Sequence, residues 1–231
     1  MTEELAFVHD TFHQMAREGR ERALVRLVHN LALVAQGQVA LAPAGERGFP
    51  RTLSDEVRPL PGRPPSAPGQ LVQEWIRTES ERPPVLADLA VHPGLAFPWH
   101  PTRFVRNLAR EEPWRYDRMN HRAYFLEPLG IVVFENGLHS GWRGVLDREG
   151  RLPAIPLDLG RVVREGLRVE VRGAKAFWTV APESHRASPL PEANATPVRW
   201  PWWALAVTAT RALVEAGHTG TILPPKESWP C

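Results

Sequence analysis

The sequence has little cysteine, little lysine and no long apolar run, and each shortage excludes a class of protein. Cys231 is the only cysteine, so neither a disulfide framework nor a Cys-x-x-Cys zinc site can be present. No stretch approaches the roughly 18 uninterrupted apolar residues that indicate a membrane-spanning helix. The first residues lack a basic segment followed by an apolar run, so we expect no secretory signal. These absences together predict a cytoplasmic protein without a membrane segment.

Lysine occurs only at Lys175 and Lys226, so nearly all of the 28 basic residues are arginine. Such a bias is typical of a GC-rich genome, for example that of a thermophile, and arginine also binds carboxylates and phosphates in bidentate geometry. The formal net charge is only +2, and no run of five or six like charges occurs. The sequence therefore gives little support to a nucleic-acid partner, because it has neither a basic tract nor a helix-turn-helix pattern.

The distribution of apolar residues and prolines predicts four regions. Apolar residues at helical spacing predict helices over 3–36, with a break at Gly19 and a stop at Gly37, within an N-terminal helical region at 1–42. Seven prolines and four glycines predict a linker or long loop at 43–69. An α+β core domain is expected at 70–217, and an irregular tail at 218–231.

Within the core domain, the residue pattern predicts a small mixed β-sheet at about 121–180, flanked by N- and C-terminal helices. The strands expected from short apolar runs lie at 124–126, 131–134 and 153–159, and a hairpin is expected at 167–180. Helices are expected at about 70–80, from Thr102, at about 139–146 and at 201–216. The predicted fold class is therefore α+β.

The segment GIVVFENGLHSGWRGVL, at 130–146, combines a buried strand, a sharp turn and several reactive polar groups. Asn136 and Gly137 allow the chain to turn with positive φ into a helix that carries His139, Ser140 and Arg143. The backbone N–H groups and the positive dipole end at such a helix start suit an anion. The alternative is a plain helix cap in which His139 is packed or solvated.

The order of strand, turn, strand, NGxHS and helix resembles an uncharacterised bacterial family whose hallmark is an NGNHS motif. The resemblance covers about residues 98–175, and the matching residues are Asn120-His121-Arg122, Pro128-Leu129-Gly130 and Asn136-Gly137-Leu138-His139-Ser140. More distantly, the arrangement is similar to the ParB/sulfiredoxin fold, in which a G-x-H-R-type turn at a helix start holds a nucleotide phosphate. By this resemblance His139 matches the motif histidine, while Ser140 replaces the arginine, for which Arg143 or Arg122 would compensate.

The first functional hypothesis is a phosphate or nucleotide ligand at the Gly137–Arg143 turn, with a phosphoesterase or nuclease as one form of it. The family resemblance implies a context of plasmid maintenance or defence. His139 would be the catalytic hydrogen-bond donor or general acid/base. The other residues of the expected ligand-binding set are Asn136, Gly137, Ser140, Arg143, Arg122 and His121. The second hypothesis is a non-enzymatic protein–protein interaction module in which the NGxHS turn is structural.

Three further groups of residues are candidate sites. Trp99 to Arg103 and Trp114 to Arg122 bring aromatic and ionisable residues close in sequence, either as an anion site with Arg103 and Arg122 or as a hydrogen-bonded shell. Asp158 and Glu135 could serve a metal-dependent nuclease, but neither has a DxD or ExK neighbour. His9 and His13 have the spacing of paired metal ligands without a third ligand nearby, so we expect no metal. The sequence indicates no cofactor.

Overall fold

The computed structural model describes residues 2–45, 67–96, 98, 100–172, 175–181, 196–197, 201–220 and 222. Most of the predicted linker at 43–69 and most of the predicted tail at 218–231 therefore lie outside the described residues. The same holds for Gly173, the second residue of the pivot expected for the hairpin at Arg172-Gly173. In the described part of the chain, no helix has the length and apolar character needed to cross a membrane.

Three long helices pack together on one side of the molecule. They are α1 (Thr2–Arg17), α2 (Glu21–Gly45) and α7 (Pro201–Glu215). Gly19, with a φ of 68°, separates α1 from α2 as predicted. The predicted stop at Gly37 is wrong, because α2 continues to Gly45. A glycine inside a helix costs only about 1 kcal/mol, and tertiary packing of α2 offsets such a cost.

The central sheet has five strands in the order β1-β5-β3-β4-β2. Their bounds are β1 (Val85–Asp88), β2 (Gly94–Leu95), β3 (Arg122–Glu127), β4 (Ile131–Asn136) and β5 (Arg151–Asp158). β3 pairs antiparallel with β4 and parallel with β5, so β3 and β5 end at the same edge of the sheet.

Four shorter helices and a second sheet complete the described fold. The helices are α3 (Ala67–Glu79), α4 (Pro101–Leu108), α5 (Leu138–Asp147) and α6 (Leu159–Arg164). The second sheet consists of β6 (Leu167–Arg172), β7 (Lys175–Val180) and β8 (Thr196–Pro197), in that order. The α+β class is confirmed.

Alternation of side chains along β3 and β4 divides the interior into two cores. Tyr124 and Leu126 face the cluster that contains Phe12, Trp75 and Trp203 from the surrounding helices. The intervening side chains of β3 face a second cluster, formed with α5 and the loop that precedes β3. Its aromatic members are Trp114, Phe125, Phe134 and Trp142. This period of two is why a short strand can support helices on both of its faces.

The sheet differs from the prediction in its extent. β3, β4 and β5 confirm the strands expected at 124–126, 131–134 and 153–159, and β6 and β7 confirm the hairpin. β1 and β2, however, come from before residue 121, and the hairpin belongs to the separate sheet. β1 and β2 have four and two residues, too few to produce a periodic apolar pattern.

The buried side chain of Gln36 joins α2 to the end of β2. Its Nε2 donates to the carbonyl oxygen of Ala96 at 2.7 Å, and the Ala96 N–H donates to its Oε1 at 2.9 Å. Both halves of the amide are therefore used, as burial requires. This contact fixes the position of α2 against the sheet beside Gly37.

Candidate functional site

The turn between β4 and α5 has the backbone conformation that the motif predicts. Gly137 has φ 71° and ψ 28°, and none of the described side chains caps α5. A Cβ at this position would lie 2.3 Å from Cδ2 of His121 and 3.0 Å from the carbonyl oxygen of Asn120. Both the left-handed conformation and the close approach of His121 therefore require glycine.

Ser140 lies in the first turn of α5 and accepts hydrogen bonds from two neighbouring residues. Nε2 of His121 is 2.7 Å from its Oγ, and Nδ2 of Asn120 is 3.2 Å away. The N–H of Asp117 donates to Nδ1 of His121 at 2.9 Å, so the ring proton lies on Nε2 and the ring donates to Ser140. The Ser140 hydroxyl then donates to the Gly137 carbonyl oxygen at 3.1 Å. A histidine that donates to a serine cannot also take its proton, so this pair is not an activated nucleophile.

Both histidines at the turn are held in the neutral form. Burial lowers the pKa of His121, although the nearby Asp117 acts in the opposite direction. Burial also lowers the pKa of His139 to about 4, assisted by the positive charge of Arg103 and by His100. Nε2 of His139 accepts the N–H of His100 at 2.9 Å, which leaves its proton on Nδ1. His139 therefore ties the start of α5 to the residue that precedes α4.

The two arginines expected to assist the turn have other partners. Arg143 is buried, and its Nε lies 3.0 Å from Oδ2 of Asp147, while its Nη2 donates to the carbonyl oxygen of Glu112. Arg122 pairs with Glu135 across the β-hairpin at 2.7 Å, with both side chains about half exposed. The cation that acts on His139 is Arg103. The structure thus groups Gly137, His121, Ser140 and His139, and places Arg143 and Arg122 on carboxylates.

Trp114 shows that the second sequence cluster packs around the start of α5. Its Nε1 donates to the Ser140 carbonyl oxygen at 2.7 Å, and its ring stacks on His121 with centroids 4.9 Å apart. A Cβ on Gly150 would lie 2.1 Å from this indole. Of the two interpretations of this cluster, the geometry around Trp114, Asn120 and His121 is that of a hydrogen-bonded shell.

A second polar site, which the sequence did not predict, lies at the opposite edge of the sheet. β3 and β5 end there at Glu127 and Asp158, which are paired in register. A cavity of about 430 Å³ lies at these strand ends. The side chains with charge or titratable groups that line it are Glu79, Arg82, Glu127, Asp158, Arg164 and His218.

Glu79 is buried at the end of α3 and is satisfied on both carboxylate oxygens. Arg82 approaches Oε2 at 2.6 Å and Arg161 approaches Oε1 at 3.0 Å, while the N–H of Asp158 donates to Oε2 at 3.3 Å. Burial alone would raise the pKa of Glu79, but these hydrogen bonds outweigh burial and hold its pKa below the usual value. Glu79 is therefore a buried carboxylate that stays ionised.

The remaining carboxylates of the cavity are also paired. Asp158 accepts the Arg161 N–H at 3.1 Å through Oδ1 and Nη2 of Arg164 at 3.0 Å through Oδ2. Glu127 accepts Nη1 of Arg82 at 3.0 Å. Asp158 ends β5 whereas Glu135 lies near the end of β4, at the other edge, so the structure does not bring together this nuclease pair. The sequence singled out Asp158 but not the cavity around it, because the parallel pairing of β3 with β5 leaves no local signal.

Metal ligands do not assemble in the described part of the chain. No group of three or more His, Cys, Asp or Glu residues there has the geometry to hold a metal ion. His9 and His13 have ring centroids 4.4 Å apart, and His13 Nδ1 lies 3.3 Å from Glu215. Burial lowers the pKa of His13, with His9 as the next contribution.

Comparison with known proteins identifies a family but no function. A family of unknown function (DUF6710) matches the chain over residues 26–165, which includes the turn at Gly137 and both strand ends of the cavity. No curated protein and no solved structure shows significant similarity to the chain.

Proposed function

The chain belongs to the DUF6710 family, and we propose that it binds a phosphate-bearing ligand, such as a nucleotide, at the start of α5. The observation that carries this proposal is the left-handed turn at Gly137, after which α5 begins without a cap from any described side chain. The first N–H groups of a helix and its positive dipole end favour a phosphate. The resemblance of this strand, turn and helix to the ParB/sulfiredoxin fold supports the same class of ligand.

Each polar residue at the turn has a distinct role in this proposal. The backbone from Asn136 and Gly137 to Ser140 contacts the phosphate, and Arg103 supplies the positive charge beside it. Arg122 joins Arg103, since its pair with Glu135 is exposed and can be exchanged at little cost.

Arg143 acts on the structure of the site rather than on the ligand. It is buried and holds the loop at Glu112 against α5. His121 likewise positions Ser140.

His139 is proposed to position the site. Its Nε2 lone pair is occupied by the His100 N–H, and its pKa of about 4 keeps the imidazole neutral near pH 7. General acid/base catalysis by Nε2, as in a phosphoesterase or nuclease, would require this hydrogen bond to break. Binding requires no such rearrangement, so binding rather than hydrolysis is the function we propose.

Isothermal titration calorimetry with pyrophosphate, ATP and CTP, each with and without Mg²⁺, tests the proposal. We expect Arg103→Ala to weaken binding of the best ligand at least about tenfold, because a charge-assisted hydrogen bond contributes about 1.5–3 kcal/mol. The matched control is Arg106→Ala, which removes the same charge from the same exposed helix and should leave affinity within about twofold.

Two results would contradict the proposal. The first is the absence of heat or of thermal stabilisation with all three ligands at millimolar concentration. The second is an equal loss of affinity in Arg103→Ala and Arg106→Ala, which would indicate attraction by overall charge rather than a site. The first result is also the one expected of an interaction module in which the turn is structural.

A further inference from the structure

We propose that the cavity at the carboxyl ends of β3 and β5 binds a small zwitterion, that is, one molecule with a carboxylate and an ammonium group. This proposal is independent of the phosphate site, which lies at the opposite edge of the sheet. Crevices beyond the carboxyl ends of parallel strands are common ligand sites in α/β proteins. A volume of about 430 Å³ lies within the usual range for small-molecule sites.

The charged wall of the cavity is held in place before any ligand arrives. Glu79, at 3% exposure, is fixed by Arg82 and Arg161. Asp158 is fixed in turn by the N–H of Arg161 and by Arg164. A network of this kind orients the groups that face the cavity, so a ligand needs to order few side chains when it binds.

The charges of this network limit the net charge of the ligand. Charges of both signs alternate through the network: Arg82 pairs with Glu79 and Glu127, Arg161 with Glu79 and Glu165, and Arg164 with Asp158. A ligand with a single charge could pair with groups of one sign only, and partial removal of that charge from water would carry a cost in desolvation. A ligand with both charges and no net charge avoids that cost.

The hydrogen-bonding groups that remain match the two ends of a zwitterion. The bonds that Arg82 makes with Glu79 and Glu127 both involve Nη1, so Nη2 and Nε can donate to a carboxylate. Glu127 uses Oε2 for Arg82, and its Oε1 has no partner among the described residues. This oxygen can accept from an ammonium group of the same ligand.

Another part of the cavity wall is formed by the chain that follows α7. Gly217, with a φ of 84°, ends α7, and His218 to Gly220 then line the cavity. The N–H of Ile222 donates to the carbonyl oxygen of Pro128 at 2.9 Å, which holds this segment against the turn between β3 and β4. Its distance from Glu127 and Arg82 therefore sets the length of ligand that fits.

Saturation-transfer NMR and calorimetry with a panel of small molecules test the proposal on the full-length chain. The zwitterionic probes are glycine, L-serine and L-glutamine, and the single-charge probes are acetate and ethylammonium. We expect at least one zwitterion to bind, and each single-charge probe to bind at least about tenfold more weakly, since it lacks one charge-assisted contact.

Two cavity variants and one control variant distinguish a ligand-binding site from an ion-pair network with only a structural role. Glu127→Gln should lower the affinity for the zwitterion about tenfold. Gly160→Ala keeps every charge, but its Cβ would lie 2.9 Å from Asp158 Oδ1 and 3.0 Å from Arg164 Nη1, so it should displace these groups and also weaken binding. Glu135→Gln breaks a carboxylate–arginine pair at the other edge of the sheet and should leave affinity unchanged.

Three outcomes would overturn the proposal. They are the absence of zwitterion binding at 10 mM, equal binding of acetate or ethylammonium, and an unchanged affinity in both Glu127→Gln and Gly160→Ala. Loss of pyrophosphate binding in Arg103→Ala does not bear on it, and that variant should bind the zwitterion normally. Circular dichroism of each variant distinguishes loss of the site from loss of the fold.

Discussion

The two edges of the central sheet satisfy polar groups in different ways. Where β4 ends and α5 begins, neutral imidazoles accept backbone N–H groups: His121 accepts that of Asp117, and His139 accepts that of His100. Where β3 and β5 end, guanidinium and carboxylate groups pair over long separations, as Arg82 and Glu127 do. The turn at the first edge is set by the local backbone geometry of Gly137, whereas the second site exists only after the fold has brought distant segments together. Local motifs in a sequence can therefore reveal the first kind of site but not the second.

The largest effect is expected from Gly137→Ala, which tests how far backbone geometry determines the α5 edge. The left-handed conformation costs an L-residue about 1–2 kcal/mol, and the clash with buried His121 adds about 1–3 kcal/mol. We expect the free energy of unfolding, measured with urea, to fall by about 2–5 kcal/mol. Gly217→Ala is the control, because it has φ 84° with no atom within 4 Å of the added Cβ, and it should lose only about 1–2 kcal/mol. If Gly137→Ala and Gly217→Ala lost the same free energy of unfolding, the His121 side chain would be able to move away from the added Cβ at no cost.

Glu79→Gln tests whether ion pairs stabilise the cavity edge. The change leaves Arg82 and Arg161 without the charge of a buried partner, although both arginines are more than a third exposed and water screens part of the loss. We expect a fall of about 2 kcal/mol in the free energy of unfolding. Glu135→Gln, which breaks the exposed pair with Arg122 at the other edge, should cost less than about 1 kcal/mol. If Glu79→Gln also cost less than about 1 kcal/mol, the buried ion pairs of Glu79 would contribute no more to stability than the exposed pair of Glu135.

The two edges should also respond to acid in different pH ranges. The folded-state pKa of His139 is about 4, below the ordinary 6.5, so the unfolded chain binds this proton more readily. Its contribution to stability is complete above about pH 6.5 and is lost as the pH falls towards 4. Glu79, with its pKa held below the usual 4.5, loses its contribution only at still lower pH. We therefore expect the free energy of unfolding of His139→Gln, measured from pH 7.5 to 4, to depend less steeply on pH than that of the unsubstituted protein. The two slopes should differ by at most about 1.4 kcal/mol per pH unit. An unchanged slope would show that His139 has no lowered pKa.

Ser140→Ala should produce the smallest effect and reports on hydrogen bonding at the α5 edge. It removes the acceptor of the His121 Nε2–H, at a cost of about 1 kcal/mol in the free energy of unfolding. Nitrogen-15 NMR of the His121 ring should still show the proton on Nε2, because the Asp117 N–H holds Nδ1. A proton on Nδ1 would contradict the hydrogen bond that this atom accepts from the Asp117 N–H. Ser80→Ala, which removes a single exposed bond to the Ile76 carbonyl oxygen, serves as the stability control.

The sequence predicted most of the elements whose signals are local. The paired strands around Pro128, the turn at Gly137 and the helix after it follow from apolar runs and turn residues. β2, with two residues, has no such signal, and the parallel pairing of β3 with β5 depends on distant segments.

In the candidate site, too, the sequence predicted the local features but not the contacts between distant residues. The motif located Gly137, Ser140 and His139, but it could not show that Arg143 extends to Asp147 and Glu112, one turn further on and across a loop. That direction depends on how the loop packs over α5. Glu79 and Arg82 gave no sign of a site, because apart from each other their partners lie 45 or more positions away in the sequence.

The amide of Gln36 gives the Ala96 backbone the donor and acceptor that a neighbouring strand would otherwise supply. An edge strand has unpaired backbone groups to which a second molecule can add a strand, and β2 is an edge strand of the central sheet. Because the Gln36 side chain occupies the backbone N–H and carbonyl oxygen of Ala96, these groups do not pair with another strand, which discourages self-association next to β2.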